Sequence, residues 1–138
     1  MKKLRGYLSS RVFMGERLPQ SAQNIILKDY CNKNDYILYL STTEYAMQEC
    51  YLVLNKTINK DDIVDGIVMY SLFQLPKDEN LRLDLFKKAM NKKIELHFAI
   101  ENLFIKNHQD INLIENIWKV KKNLNSFDLN LLRNNVEK

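Results

Sequence analysis

Two periodicities alternate along this chain: short runs of β-forming residues, and longer stretches whose apolar residues recur at three-to-four spacing. Leu4 to Ser10 reads as a first strand ending in two serines, and the polar stretch from Arg11 to Arg17, with Gly15 inside it, reads as a loop. Pro19 then marks a helix start, and Ala22, Ile25, Ile26 and Tyr30 predict a helix over about 20–31. Tyr36 to Leu40 is a second strand. Ser41 and Glu44 have the spacing of a capping box, so this strand is expected to lead straight into a helix striped by Met47, Cys50, Tyr51, Leu54 and Ile58. Asp65 to Tyr70 is a third strand. Pro76 breaks the chain, Asp78 is a plausible cap, and Leu81, Leu85, Phe86, Ala89 and Met90 share one face of a helix running to about Lys92. Ile94, Leu96, Phe98 and Ile100 alternate with Glu95, His97, Ala99 and Glu101, which predicts a fourth strand with one wetter face, as at a sheet edge. Ile111, Ile114, Ile117 and Trp118 predict a helix over about 110–123, and Phe127, Leu129, Leu131 and Leu132 a last short helix before a fraying end.

Strands alternating with helices of this length imply right-handed crossovers and a parallel sheet covered on both faces. The expected fold class is α/β: a single three-layer domain, a parallel sheet of about four strands in the order 2-1-3-4, and C-terminal helices. The α/β domain is expected over 1–124, and a short helix with a frayed tail over 125–138. The length of 138 residues and the 46% hydrophobic content suit one domain with a core that needs no staple. Cys31 and Cys50 lie inside helical patterns without metal-ligand spacing and read as small buried thiols. No apolar run approaches a membrane span and no signal-peptide core follows the basic start, so no membrane insertion and a cytoplasmic location are expected. The net charge of +4 is modest for a nucleic-acid binder and names no partner.

In open parallel sheets, ligands collect beyond the carboxyl ends of the strands. There this sequence places Ser9, Ser10 and Arg11, with Arg17 and Gln20 close behind; then Ser41 to Tyr45; then Tyr70, Ser71 and Gln74; then Glu101 and Asn102. Arg11 and Arg17, near helix N-termini, suit a phosphate or carboxylate, because a guanidinium fork binds it bidentately and free backbone N–H groups complete the cradle. Gln20, Ser71 and Gln74 join them as binding candidates, and Glu44, Tyr45 and Ser10 are the candidates for acid–base or nucleophilic work. Each has a plainer reading: Glu44 as half of a capping box, the serines and glutamines as loop-ordering groups, His97 as a satisfied structural histidine. No Walker loop, GxGxxG, GxSxG, HExxH or zinc spacing occurs, so neither a metal nor a cofactor is expected.

Gly6-Tyr7 followed by serines, an arginine and a loop into a glutamine-containing helix, with three further strand–helix units over roughly residues 4–120, resembles the catalytic domain of resolvase-type serine recombinases. The resemblance implies a resolvase-like fold. It also implies a serine after the first strand, an arginine two positions before it and an Asp-Arg-Leu-Gly-Arg-like segment after the third. Aligned on Gly6-Tyr7, Ser9 falls where that arginine belongs and Arg11 where the nucleophile belongs, and Tyr70 to Pro76 reads Tyr-Ser-Leu-Phe-Gln-Leu-Pro, so no recombinase activity is expected. A second likeness runs through Arg5-Gly6-Tyr7, Ser10-Arg11, Gly15-Glu16-Arg17, Pro19-Gln20, Thr43 to Met47, Cys50-Tyr51, Asp65 to Pro76 and Glu95-Leu96-His97. These stretches are similar to the sporadic carbohydrate cluster protein family of surface-polysaccharide gene clusters. That likeness implies a carbohydrate-biosynthesis pathway and not a reaction; with Arg11 and Arg17 holding the anion, the expected function is an enzyme or ligand-binding protein, leaning to an enzyme, acting on a phosphorylated or nucleotide-activated sugar, with no specific nucleic acid. The alternatives are a scaffolding subunit of a glycan-assembly complex that uses the helix around Trp118, and a recombinase-derived nucleic-acid-binding protein. The Ile111, Ile114, Ile117 and Trp118 stripe, coming after the sheet units are complete, predicts a homodimer.

Overall fold

A computed structural model describes residues 1–10, 12, 17–47, 49–60 and 63–136 of the chain. Arg11 and the Gly15 loop, both singled out in the sequence, lie outside the described residues. The chain forms two compact units, residues 1–106 and 107–138. The first holds strands β1 (Lys3–Leu8), β2 (Ile37–Thr43), β3 (Gly66–Met69), β4 (Glu95–Phe98) and β5 (Leu103–Ile105), with helices α1 (Gln20–Lys33), α2 (Leu52–Lys60) and α3 (Glu79–Asn91). The second is helix α4 (His108–Val136), whose start is capped by the Asn107 side chain, accepting the Asp110 N–H at 3.0 Å.

The sheet order is β2-β1-β3-β4-β5. The first four strands pair in parallel, and β5 runs antiparallel to β4. The α/β class, a central first strand between the second and third, and the order 2-1-3-4 all hold. Alternation along the strands divides the core. Leu4, Leu8 and Val68 pack with Leu27, Tyr30 and Cys31 of α1 on one face. The opposite face carries Tyr7, Ile67, Met69, Leu96 and Phe98, all fully buried, on the side of α2 and α3. Cys31 and Cys50 are buried free thiols, and burial pushes the Cys31 thiol up to about 11.

Two glycines let backbones meet. A Cβ on Gly66 would stand 2.7 Å from the carbonyl oxygen of Glu95 on the neighbouring strand, so the β3–β4 pairing here admits no side chain. One on Gly6 would run into the Ser41 hydroxyl of β2.

Several expected boundaries move. The fourth strand is not the edge: Ala99 to Asn102 turns the chain, with Asn102 at φ 54, and β5 then covers β4. On the face expected to be wetter Glu95, Ala99 and Glu101 stay partly exposed, while His97, ringed by Tyr30, Tyr36 and Phe104, is 0% exposed. The expected Ser41–Glu44 capping box is absent. Ser41 lies inside β2 and donates to Asn24 Oδ1 at 3.0 Å, and the helix does not begin until Leu52, leaving Met47 exposed. The two helices expected at the C-terminus are one continuous helix of 29 residues. Asp78 does cap α3, accepting the Asn80 and Leu81 N–H groups.

His97 is held as the plainer reading expected. Glu95 is acceptor only when ionised, so His97 Nε2 carries the proton it donates to Glu95 Oε1 at 2.9 Å, and Nδ1 accepts the Tyr30 hydroxyl at 2.7 Å. Tyr36 and Phe104 pack around the ring, and Lys2 pairs with Glu95 at 2.5 Å. Burial holds the His97 pKa below 6.5, outweighing the neighbouring Glu95 carboxylate. Burial pushes Glu95 up, but the hydrogen bonds from Lys2 and His97 prevail and hold it below 4.5. A folded His97 therefore binds fewer protons than an unfolded one, so its contribution is complete above about pH 6.5 and is lost as pH falls through the depressed folded value. The urea midpoint is expected to fall between pH 7 and pH 5.5, above the range in which Glu95 titrates, and the fall is expected to shrink in His97→Phe. An equal fall in both proteins would assign the effect elsewhere.

Candidate functional site

The strand ends carry a continuous polar network whose centre is Gln23, in the second turn of α1. This side chain is 0% exposed, and its Nε2 donates to the carbonyls of Ser9 at 2.6 Å and Leu18 at 2.9 Å. Its Oε1 accepts the Ser9 N–H at 3.2 Å and the Gln74 amide at 3.1 Å. Gln74 in turn accepts the Ser71 N–H at 3.2 Å, while Ser71 Oγ accepts the Phe73 N–H at 3.1 Å, a reciprocal capping box around the 3-10 turn Leu72–Gln74. Ser71 Oγ donates to Glu101 Oε2 at 2.7 Å, and Glu101 Oε1 accepts the Leu72 N–H at 3.0 Å. One chain of hydrogen bonds thus ties the ends of β1, β3 and β4 to α1.

A second knot stands at Glu44, directly after β2. The carboxylate is 3% exposed and accepts the Tyr7 hydroxyl at 2.8 Å, the Val53 N–H at 2.9 Å and the Leu54 N–H at 3.1 Å. The Tyr45 N–H and the Cys50 thiol also point to it. Val53 and Leu54 open α2, so Glu44 caps from eight residues upstream the helix that its sequence spacing seemed to start, and its negative charge faces the positive end of the helix dipole.

Of the sequence candidates, Ser71 and Gln74 are brought together, joined by Gln23, Ser9 and Glu101. Ser10 is half-buried just beyond β1, Arg17 is exposed ahead of α1, and Gln20 is the first residue of α1. Glu44 and Tyr45 separate: the glutamate turns inward and the tyrosine is 52% exposed. The serine and amide groups of the rim are engaged with one another, and its carboxylates, Glu44 and Glu101, carry the charge opposite to that of a phosphate cradle. Gln23 and Tyr7 escaped the sequence reading. Gln23 had a signal, since it extends the buried stripe of Leu27 and Tyr30 by one helical step, and a polar side chain on an apolar stripe demands partners.

No family model and no curated protein matches the chain. Solved structures do, among them the three that follow. The N-terminal catalytic domain of TP901-1 integrase is similar at TM-score 0.65 and 19% identity, covering 94% of this chain and 98% of that one. A resolvase family site-specific recombinase from Streptococcus pneumoniae matches at TM-score 0.62 and 13% identity, covering 98% and 99%. The C-terminal catalytic domain of ISC1926 TnpA, an IS607-like serine recombinase, matches at 0.52 and 13%, covering 86% and 99%. These matches correct the expectation of a surface-polysaccharide protein with a phosphorylated or nucleotide-activated sugar as partner and no nucleic acid. Nothing among them supports the sporadic carbohydrate cluster family. What they establish is the fold: a resolvase-like α/β domain, similar to the catalytic domains of serine recombinases.

Proposed function

We propose that this chain is a cytoplasmic nucleic-acid-binding protein derived from the serine recombinase fold, which engages double-stranded DNA without cutting it. The observation that carries the reading is the two-way coverage of recombinase catalytic domains, 94% of this chain against 98% of the integrase domain. This is an inference from fold to partner. Separate features support the absence of cleavage. Phosphodiester transfer needs several cations around the pentacoordinate phosphate. Ser9 occupies the expected arginine position and is engaged through its backbone by Gln23, Tyr70 to Pro76 contains no arginine, and the Glu101 carboxylate stands at the same rim.

Fluorescence anisotropy on a labelled duplex is expected to show binding at 50 mM salt that weakens about a hundredfold by 200 mM, the counterion release of about four phosphate contacts. Denaturing gels after incubation with supercoiled plasmid are expected to show no protein–DNA adduct. Absence of duplex binding at 50 mM salt would overturn the reading, and an adduct on Ser9 or Ser10 would overturn its non-cleaving part. Among the described residues, no helix is long and apolar enough to cross a membrane.

A further inference from the structure

The sheet face that buries Tyr7 and Ile67 opens towards its β2 edge. Lys3 and Arg5 of β1 pair in register with Ile37 and Tyr39 of β2, and in a parallel pair such partners project from the same face. Lys3 and Ile37 are exposed, and Arg5 and Tyr39 half-exposed, whereas Ile67, the partner of Arg5 on its other side, is fully buried. The Arg5 guanidinium lies 5.1 Å from the centre of the Tyr39 ring and is fixed there by donating to the Leu40 carbonyl at 3.2 Å. Neither strand contains an acidic residue, while β1 contributes two cations. One flanking acid, Asp65, accepts the Lys3 backbone N–H at 2.8 Å. Because β2 is the last strand of the sheet, this face continues to the open edge without a further strand.

We propose that this face is a stacking platform for single-stranded nucleic acid, with unpaired bases lying against the Tyr39 and Arg5 planes and backbone phosphates meeting Lys3 and Arg5. It rests on the preceding reading only for the class of ligand, and it adds a binding mode that duplex recognition does not need. An aromatic ring with a guanidinium fixed beside it offers a π-face to any base, and a pair of strands that carries two cations and no acid complements a polyanion. A duplex keeps its bases stacked inside and cannot use such planes.

The test is anisotropy with a labelled 20-nucleotide oligothymidylate and, in parallel, a duplex of equal length. The wild-type chain is expected to bind the single strand. Tyr39→Ala is expected to weaken that binding about tenfold or more, the size of one lost base stack, with the duplex affinity unchanged. Tyr39→Phe keeps the ring and is expected to bind within about twofold of wild type, and Arg5→Lys to recover only part of what Arg5→Ala loses, since lysine keeps the charge without the plane. Circular dichroism checks that each variant is folded. Absence of oligothymidylate binding, or Tyr39→Ala and Arg5→Ala binding it as wild type does, overturns the platform. Equal losses on single strand and duplex also overturn it, because the face would then serve the phosphate backbone alone. Duplex binding that persists in the first two cases leaves the preceding reading standing, and its loss in the wild type removes that reading separately.

Discussion

Gln23→Leu is expected to lower the unfolding free energy by about 3–5 kcal/mol in urea titrations, on the premise that each buried hydrogen-bonding group left without a partner costs about 1–3 kcal/mol. Leucine fits the space but removes four hydrogen bonds at once: that to the Leu18 carbonyl and, at the rim, those with the N–H and the carbonyl of Ser9 and with the Gln74 amide. These sit at the buried ends of two strands, where water does not readily replace the lost bonds. Gln74→Leu removes the bond to Gln23 and the one accepted from the Ser71 N–H, fewer than Gln23→Leu, and is expected to cost less, while Gln20→Ala, at the first position of α1, should stay within about 0.5 kcal/mol. A Gln23→Leu protein within about 1 kcal/mol of wild type would show that the network is incidental to the fold.

Glu44→Ala should destabilise the protein by about 3–4 kcal/mol, because removing one member of a buried charged hydrogen-bond cluster leaves its donors unsatisfied. Those donors are the Tyr7 hydroxyl, from a fully buried ring on the central strand, and the first N–H groups of α2. Glu44→Gln preserves the shape but loses the charge at the helix terminus and turns one acceptor into a donor, so about half that cost is expected. The result also separates two roles for this residue: a capping carboxylate registers as stability lost, and an acid–base group as activity lost in a protein of unchanged stability. A Glu44→Ala protein as stable as wild type would return Glu44 to the acid–base candidates.

Those two residues mark the limits of reading function from spacing. Glu44 drew notice because Ser41 precedes it by three residues, and the structure gives it the chemistry of a cap, but for a helix that starts at Leu52. Ser71 and Gln74 have the same three-residue spacing and do form a capping box, around a short 3-10 turn. The pattern is therefore not sufficient. Which of two identical spacings closes locally depends on whether the backbone between them turns, and between Ser41 and Glu44 it stays extended to pair with β1. The carbohydrate resemblance gathered the strand-end stretches, which here include groups occupied in holding the fold together, so their presence carries no sugar chemistry.

The amino-acid sequence by itself determined the elements whose signal is local. Apolar residues at helical spacing placed α1 and α3, the Asp78 cap was legible because capping depends on the next three residues, and alternating strands and helices dictated a parallel sheet with β1 inside it. Tertiary structure decided what rests on contacts distant in sequence. The three residues of β5 are too few to show a period, and they form a strand only because the turn at Ala99 to Asn102 lays them against β4. His97 looked half-wet by alternation and is fully buried because Tyr30 of α1, Tyr36 and Phe104 of β5 enclose its ring. Gln23 meets Gln74 across 51 positions, and Tyr7 meets Glu44 across 37. No window of local sequence contains either pair, because a buried polar group selects its partner through the packing of whole elements.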